Sequence, residues 1–424
     1  INDDPTDIII DSSSLSFNEN DSISMTVAYL SVADQDSGES HTFSLVSGSS
    51  YTDNDSFTIS GNQLIVKDSA DYENQSAYTV LLEVKDKDDA TYEKEFTFNV
   101  NDINEAPTDI HLGSPFVFTQ IGSNILGEGV DFSGYQVSLS SDGSVLAVGE
   151  PFHSRYDYDY SGRVRLYRNI EGSWHQIGRE IVGAAFMDSA GVSLSLSASG
   201  NVVAIGSPWN DEYGNNSGYV RVYENLGDNW NQIGEAIVGS SEGDTLGQSL
   251  SLSADGNVVV IGAPGNDANG PSSGYVRIYQ NIGGGWQQLG VDINGEAHDA
   301  FGSTVNISAD GTVVAVSASQ PNHLSGGDGR GYVSLYKLVD SSNWIQIGDD
   351  IPGEAANDHS GDSVSLSADG NVVAIGASSS DENGVNSGHV RLYENNNGTW
   401  VQIGQDIGGE AANDQSGHSV SLSA

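Results

Sequence analysis

Five tryptophans set the terms on which this chain can fold. Trp174, Trp230, Trp286, Trp344 and Trp400 stand 56, 56, 58 and 56 residues apart, and each is followed two positions later by Gln in the phrase Gln-(Ile/Leu)-Gly. Phe118, 56 residues before Trp174, opens the matching phrase Phe-Thr-Gln-Ile-Gly. A period held this tightly marks a repeat architecture and overrides any domain count taken from length alone. An aspartate and a glycine three apart recur in the same frame, at Asp131/Gly134, Asp188/Gly191, Asp244/Gly247, Asp299/Gly302, Asp358/Gly361 and Asp414/Gly417. Each full repeat then reads Val-Ser-Leu-Ser, a turn, Val-Val-Ala-Ile-Gly, a polar loop, Tyr-Val-Arg-Val-Tyr, a short loop, and Trp-x-Gln-Ile-Gly. That is four short strands per unit. Units of this kind arranged radially make a β-propeller; a solenoid fits the period but does not normally need four strands. The Val-Val-Ala-Ile-Gly run is apolar on both faces, as expected of a strand sandwiched between blades. Asp255-Gly256, Asp310-Gly311 and Asp369-Gly370 predict two-residue hairpin turns with positive φ.

Residues 1–106 obey a different rule. Short alternating runs at Ile23–Tyr29, Thr42–Val46, Phe57–Ile59, Gln63–Val66, Tyr78–Lys85 and Tyr92–Val100 are separated by polar turns, without helical periodicity. This predicts an all-β sandwich of about 100 residues. Carboxylates gather at the strand ends, in Asn18-Glu19-Asn20, Asp34-Gln35-Asp36, Asp71-Tyr72-Glu73, Asp86-Lys87-Asp88 and Asp102-Ile103-Asn104-Glu105. Calcium takes six to eight oxygen ligands, and alternate-residue acids at a strand end can share an ion. The order of these motifs resembles a cadherin repeat over residues 1–107. The resemblance implies calcium at two junctions: Asn2, Asp3, Asp34, Asp36 and Asp86 at an upstream one, and Glu19, Asp71, Glu73, Asp102 and Glu105 at a downstream one. Glu105 and Ala106 depart from the family's linker motif, and the residues beyond Pro107 do not repeat the cadherin pattern.

From residue 114 to 424, Phe301-Gly302 and Gly262-Ala263-Pro264 are phrases similar to FG-GAP repeats, the propeller repeats also found in integrin α-chains. The expected architecture is therefore a cadherin-like domain at 1–106 and an FG-GAP-like propeller at 107–424, with five complete blades and others partial. The integrin-type calcium loops are not carried over, because Ser-Ala-Asp-Gly-Asn is too short to wrap an ion. Acids such as Asp211, Asp267, Asp381, Glu382, Glu296, Glu354 and Glu410 should share one propeller face with the repeated aspartates. Asp and Asn there most simply shape turns, and Arg165, Arg221, Arg277 and Arg391 pair with the acids.

Charge narrows the function. Against 59 acidic side chains there are 14 basic ones, a formal net charge of −45, which argues against nucleic acid and anionic membranes as partners. The absence of cysteine removes disulfides, thiolate metal sites and cysteine nucleophiles. No run approaches the roughly 18 apolar residues of a membrane span, so no direct membrane insertion is expected. Ile1–Ile8 repeats as Ile103–Ile110 (Ile-Asn-Asp-Asp-Pro-Thr-Asp-Ile against Ile-Asn-Glu-Ala-Pro-Thr-Asp-Ile), and Val420–Ala424 stops inside a repeat. A longer parent chain is expected, its ring closing with six or seven blades and Phe118 in the closing one. Asn20, Asn54, Asn74, Asn215, Asn306 and Asn397 lie in Asn-x-(Ser/Thr) sequons.

Catalytic motifs are hard to find. Gly239-Ser240-Ser241-Glu242-Gly243 matches a nucleophile-elbow string but lies between blades. The histidines are scattered, and every candidate acid recurs blade after blade, which is the mark of scaffold chemistry. The reading of the sequence is thus a non-enzymatic, calcium-stiffened adhesive or structural segment of an extracellular surface protein, assembling into a filament or matrix. Its expected partners are other copies of itself, other surface proteins, and glycans. The alternative is a carbohydrate-binding or hydrolytic propeller module tethered to a surface, which would be marked by a single deep pocket at the propeller axis with one unrepeated acid pair and stacking aromatics.

Overall fold

A computed structural model describes residues 4–11, 15–19, 24–34, 40–46, 53–72, 75–101, 120–154, 159–319, 328–340 and 342–423. The chain is all-β and divides into two compact units, Ile1–Thr108 and Asp109–Ala424.

The first unit is a sandwich of two four-stranded sheets. Its strands are β1 (Asp7–Ile10), β2 (Ser16–Asn18), β3 (Thr26–Ala33), β4 (Thr42–Leu45), β5 (Phe57–Ser60), β6 (Gln63–Val66), β7 (Ala77–Lys85) and β8 (Thr91–Asn101). One sheet runs β1-β3-β6-β5 and the other β2-β8-β7-β4. Side chains two apart along a strand share a face, and β8 shows the consequence: Tyr92, Phe96, Phe98 and Val100 turn inward while Glu93, Glu95, Thr97 and Asn99 are exposed. The inward faces of both sheets close on Ile8, Leu30, Phe57, Leu64, Val80, Leu82, Val84 and Phe98. The alternation predicted six of these strands but not β1 or β2. β2 is three residues long and pairs in parallel with the end of β8, Phe17 beside Val100, which is too short to show a period. β3 also starts later and ends later than Ile23–Tyr29, because Asp7–Ile10 pairs with Leu30–Ala33 and extends its far end.

The second unit is a β-propeller, with five blades among the described residues, each a four-stranded meander to which four of them add a short fifth strand. In the first blade β9 (Gln136–Leu139), β10 (Val145–Glu150), β11 (Arg163–Ile170) and β12 (Ser173–Gln176) form an antiparallel meander. The same meander repeats with second strands at Val202–Ser207, Val258–Ala263, Val313–Ala318 and Val372–Ala377. As the doubly apolar pattern requires, these strands are buried on both faces, and Val203, Val259, Val314 and Val373 have no exposed surface.

Hydrogen bonds from one blade to the next explain why the repeat spells what it does. Four of the five repeat tryptophans donate their indole N–H to the isoleucine or leucine carbonyl of the preceding Gln-(Ile/Leu)-Gly: Trp230 to Ile177 at 3.2 Å, Trp286 to Ile233 at 3.1 Å, Trp344 to Leu289 at 2.9 Å and Trp400 to Ile347 at 3.0 Å. The serine between the inner-strand apolar residues accepts from the next blade, as Ser138 does from the N–H of Leu196 and Ser195 from that of Leu252. Hairpin alanines form a ladder, Ala198 N–H to Ala254 C=O, Ala254 to Ala309, and Ala309 to Ala368. Glycine is forced where blades touch: a Cβ on Gly262 would lie 2.0 Å from the carbonyl oxygen of Gly302.

The Asp-Gly hairpins differ from expectation. Only the glycine has positive φ, 73° at Gly256 and 74° at Gly311, while Asp255 and Asp310 do not. The N–H of Gly256 closes back on the carbonyl of Ser253, and the Asp255 carboxylate accepts from the Ser253 hydroxyl and the Asn257 N–H. A side chain that caps its own turn removes the need for a second left-handed residue. The same turn chemistry holds the carboxyl ionised: hydrogen bonds from Ser367, then Asn371, hold the Asp369 pKa down to about 2.

Candidate active site at the first blade junction

The connection between blades and the loop between second and third strands lie together, because residues such as Ile181 and Val182 return to pair with the start of the third strand, at Val164 and Arg163. The repeated aspartate therefore meets the ends of the middle strands. In the second blade Asp188 is wholly buried and saturated: it accepts from the N–H groups of Ala184 and Ala185, from Asn210 at 2.6 Å and from the Tyr219 hydroxyl at 2.9 Å. Asp244 repeats the set with Ser240, Ser241, Asn266 and Tyr275. Burial, with the nearby Asp188 charge, raises the Tyr219 hydroxyl far above its usual range, and burial raises that of Tyr275 likewise, so both remain neutral donors. This is a neutral hydrogen-bond scaffold around one carboxylate.

The first blade breaks the pattern at three positions. Glu150 stands where other blades have Ser207, Ala263, Ala318 and Ala377; His153 replaces Asn210 and Asn266; Arg163 replaces Tyr219, Tyr275 and Tyr332. Glu150 is fully buried. Arg163 donates through Nε to Glu150, through Nη1 to Glu180 at 3.0 Å and through Nη2 to Asp131 at 3.1 Å. Arg165 donates to the other oxygen of Glu150, at 3.0 Å from its Nε. His153 Nδ1 lies 3.3 Å from Asp131 Oδ2. Burial pushes the Glu150 carboxyl up, but hydrogen bonds from Arg165 and Arg163 outweigh it and leave it below its usual value, ionised. Asp131, Glu150 and His153 bring donor atoms within 4.8 Å of one another. The Arg163 guanidinium already lies against two of them, so the cluster carries its own cation.

Beside this network is a set of aromatics contributed by the first and second blades. Phe152 packs edge-on against Phe132 (centroids 5.1 Å apart, 67°) and Tyr160 (6.3 Å, 85°), and more nearly parallel to Trp209 (6.4 Å, 30°). Phe132 comes directly after Asp131 and Phe152 directly before His153 in the chain, so the same turns carry both sets. The aromatics, with Met187 and Asp211, line a cavity of about 740 Å³. Phe132 and Tyr160 have φ of 54° and 45°. The matching left-handed positions hold Ser189 and Thr245, and Asn216 and Ser272, in the next two blades. A bulky aromatic is costly in this region, and strain of this kind collects at functional sites. A larger cavity of about 830 Å³ lies against Trp400 and Arg391, but it has a smaller counterpart of about 360 Å³ at Trp230, so it belongs to the repeat.

Of the ten residues expected to hold calcium, four fall within the described residues. Glu19 is buried, and its carboxylate accepts from the N–H of Tyr72 at 2.7 Å, which places it next to the exposed Asp71. Asp34 pairs with His41 at 2.8 Å, and Asp86 accepts from the N–H groups of Asp88 and Ala90. Asn2, Asp3, Asp36, Glu73, Asp102 and Glu105 lie outside the described residues, as does Phe118. The expected arginine pairs take particular partners: Arg165 with Glu150, Arg277 with Asp292 at 2.8 Å, and Arg391 with Asp406 at 2.9 Å and with Glu354. Arg221 reaches Glu212 at 3.9 Å and lies over Tyr219, 4.3 Å from the ring centroid.

No protein-family model matches the chain, and no curated protein does. Similar solved structures include a candidate 6-phosphogluconolactonase from Bacteroides uniformis (11% identity, TM-score 0.41, 66% of this chain and 87% of that one). The periplasmic gluconolactonase of Pseudomonas aeruginosa is similar at 15% identity and TM-score 0.36, over 65% of this chain and 85% of its own. A candidate 6-phosphogluconolactonase from Bacteroides fragilis is similar at 10% identity and TM-score 0.41, over 90% and 98%. These neighbours carry lactonase names, and none is named as an adhesive module; the expectation of a non-enzymatic adhesive or structural filament segment is corrected. The physical reason lies in the chain itself. That expectation rested on every candidate acid recurring, and Glu150 does not recur. Among the described residues no helix is long and apolar enough to cross a membrane.

Proposed function

We propose that the propeller unit binds a cyclic, polyhydroxylated, sugar-like ligand at its first blade junction and hydrolyses it there. The observation that carries this reading is the unrepeated cluster of Asp131, Glu150, His153 and Arg163 beside the cavity walled by Phe132, Phe152, Tyr160 and Trp209. Flat aromatic faces take up the apolar faces of a sugar ring, while buried charged groups fix its polar edge. Ionised and capped by two arginines, Glu150 is a holder of charge and not a proton donor. His153, oriented by Asp131, is the base. With a lactone, it takes a proton from water as the water oxygen bonds to the carbonyl carbon. The acyl–oxygen bond then breaks, and the proton passes to the departing ring oxygen.

The test is a panel of aldonolactones and oligosaccharides, read by calorimetric titration for binding and by product release for turnover. Binding lost in Trp209→Ala, with turnover lost in His153→Gln while binding persists, is the expected outcome. Binding without turnover reduces the site to a carbohydrate-binding module, and no binding removes the proposal. For the first unit we propose a cadherin-like, calcium-stiffened role, and for the propeller an FG-GAP-like ancestry and a secreted or surface location. The support is the closeness of Glu19 to Asp71 and the order of the acidic motifs. Chelation should lower the melting temperature of the first unit, with calcium restoring it at about 10⁻⁴–10⁻³ M; unchanged melting in chelator counts against it.

A further inference from the structure

The fifth blade departs from the repeat in its own way. Its third strand, His389–Asn396, begins with His389 at the position of Tyr219, Tyr275 and Tyr332. Those tyrosines each donate to the repeated aspartate of their own junction, at 2.9, 2.9 and 2.7 Å. His389 is 2% exposed, and its Nδ1 has no hydrogen-bond partner. A buried ring nitrogen left unpaired is costly. This one points toward a carboxylate without reaching it: Glu382 Oε2 lies 4.0 Å away. Asp406 completes a triad whose donor atoms all lie within 4.8 Å of one another.

We propose that Glu382, His389 and Asp406 form a site for a divalent first-row transition metal such as zinc. Imidazole nitrogen selects such ions over calcium, which takes oxygen alone. Bonds of about 2.0–2.2 Å place tetrahedral donors roughly 3.4 Å apart. The triad is slightly open for that, and the half-exposed Glu382 side chain closes it by swinging inward. Asp406 is already aimed, its two oxygens held by Arg391 Nε at 2.9 Å and Gln402 Nε2 at 2.6 Å. Charge favours the ion as well. Glu354 and Asp406 both pair with Arg391, and Glu382 shares their cavity, so three carboxylates meet one guanidinium and leave two negative charges for a divalent cation to balance. Glu354, Glu382 and Asp406 also line a cavity of about 500 Å³, which gives the ion a route in and leaves its remaining coordination open to water. No other described blade combines the three: the second has Glu212 but Tyr219 and Ala236, and the third has Asp292 but Tyr275 and Ala268.

The experiment uses the whole chain, stripped with chelator and then dialysed against zinc with about 1 mM calcium present to occupy sites made of oxygen alone. One zinc per chain is expected, with a rise in the melting temperature of the propeller unit. Cobalt in its place should give a visible spectrum that reports imidazole ligation. His389→Tyr restores the residue of the other blades and should fold, yet retain one equivalent less metal and show no such spectrum. Glu382→Gln, at a half-exposed position, should leave the metal-free melting temperature unchanged and weaken zinc at least tenfold. Zinc binding equal in wild type and either variant overturns the site, as does a chain that retains none.

Discussion

The first and second blades solve the same problem in opposite ways. Both must bury an aspartate where a connection meets two strand ends. The second surrounds Asp188 with a neutral tyrosine, an asparagine and two backbone N–H groups. The first places Asp131 in a network with Glu150, His153, Arg163 and Arg165. Neutral donors satisfy one carboxylate at little desolvation cost, whereas buried ion pairs commonly give no net stability over an uncharged replacement. The second arrangement is what the fold prefers. The first is what a ligand site would need, and the difference identifies the junction at which folding and function part.

The largest effect should come from breaking that network halfway. Glu150→Ala leaves the buried Arg163 and the half-buried Arg165 without their shared carboxylate and should destabilise the propeller unit by about 3–5 kcal/mol in denaturant unfolding. The combined change Glu150→Ser, His153→Asn and Arg163→Tyr, which writes the second blade's solution into the first, should instead match or exceed wild-type stability by up to about 4 kcal/mol. The same variant should lose ligand binding; a large loss of stability in it would refute the comparison. Next in size, Tyr275→Phe removes the phenol from buried Asp244 and should cost about 1–3 kcal/mol. Trp286→Phe, which loses the indole N–H to Ile233 and trims the partly exposed ring, should cost about 1 kcal/mol.

Acid sharpens the comparison more gently. The folded-state pKa of Glu150 is depressed. Its stabilisation is therefore fully present above the roughly 4.3 of an unfolded glutamate and is lost as pH falls through the folded value. Between pH 5 and pH 3 the wild-type propeller should lose stability more steeply than the triple variant. Parallel pH profiles would mean that Glu150 contributes nothing specific.

The blades were legible because their signals repeat: Trp230, Trp286, Trp344 and Trp400 each report the same contact, and the doubly apolar second strands report burial on both faces. The site was not, for the same reason. Glu150 ends a strand whose counterparts close with Ser207, Ala263, Ala318 and Ala377, and reading by consensus treats the exception as noise. Aligning the strands by register and asking which positions change charge would have found Glu150, Arg163, His153 and His389 together. Nothing in the spacing could show that Phe132 and Tyr160 are left-handed, since that conformation is set by turns whose other copies hold Ser189 and Asn216.

The tryptophan-to-carbonyl bond and the alanine ladder join each blade only to its immediate neighbours, through the same atoms every time. Couplings of that kind behave as links in a one-dimensional chain, where a change is felt by adjoining units and fades beyond them. One seam can then drift in sequence while the others hold the assembly. Such a molecule can gain a second speciality at a distant blade without renegotiating the first, because the intervening seams insulate one experiment of evolution from the next.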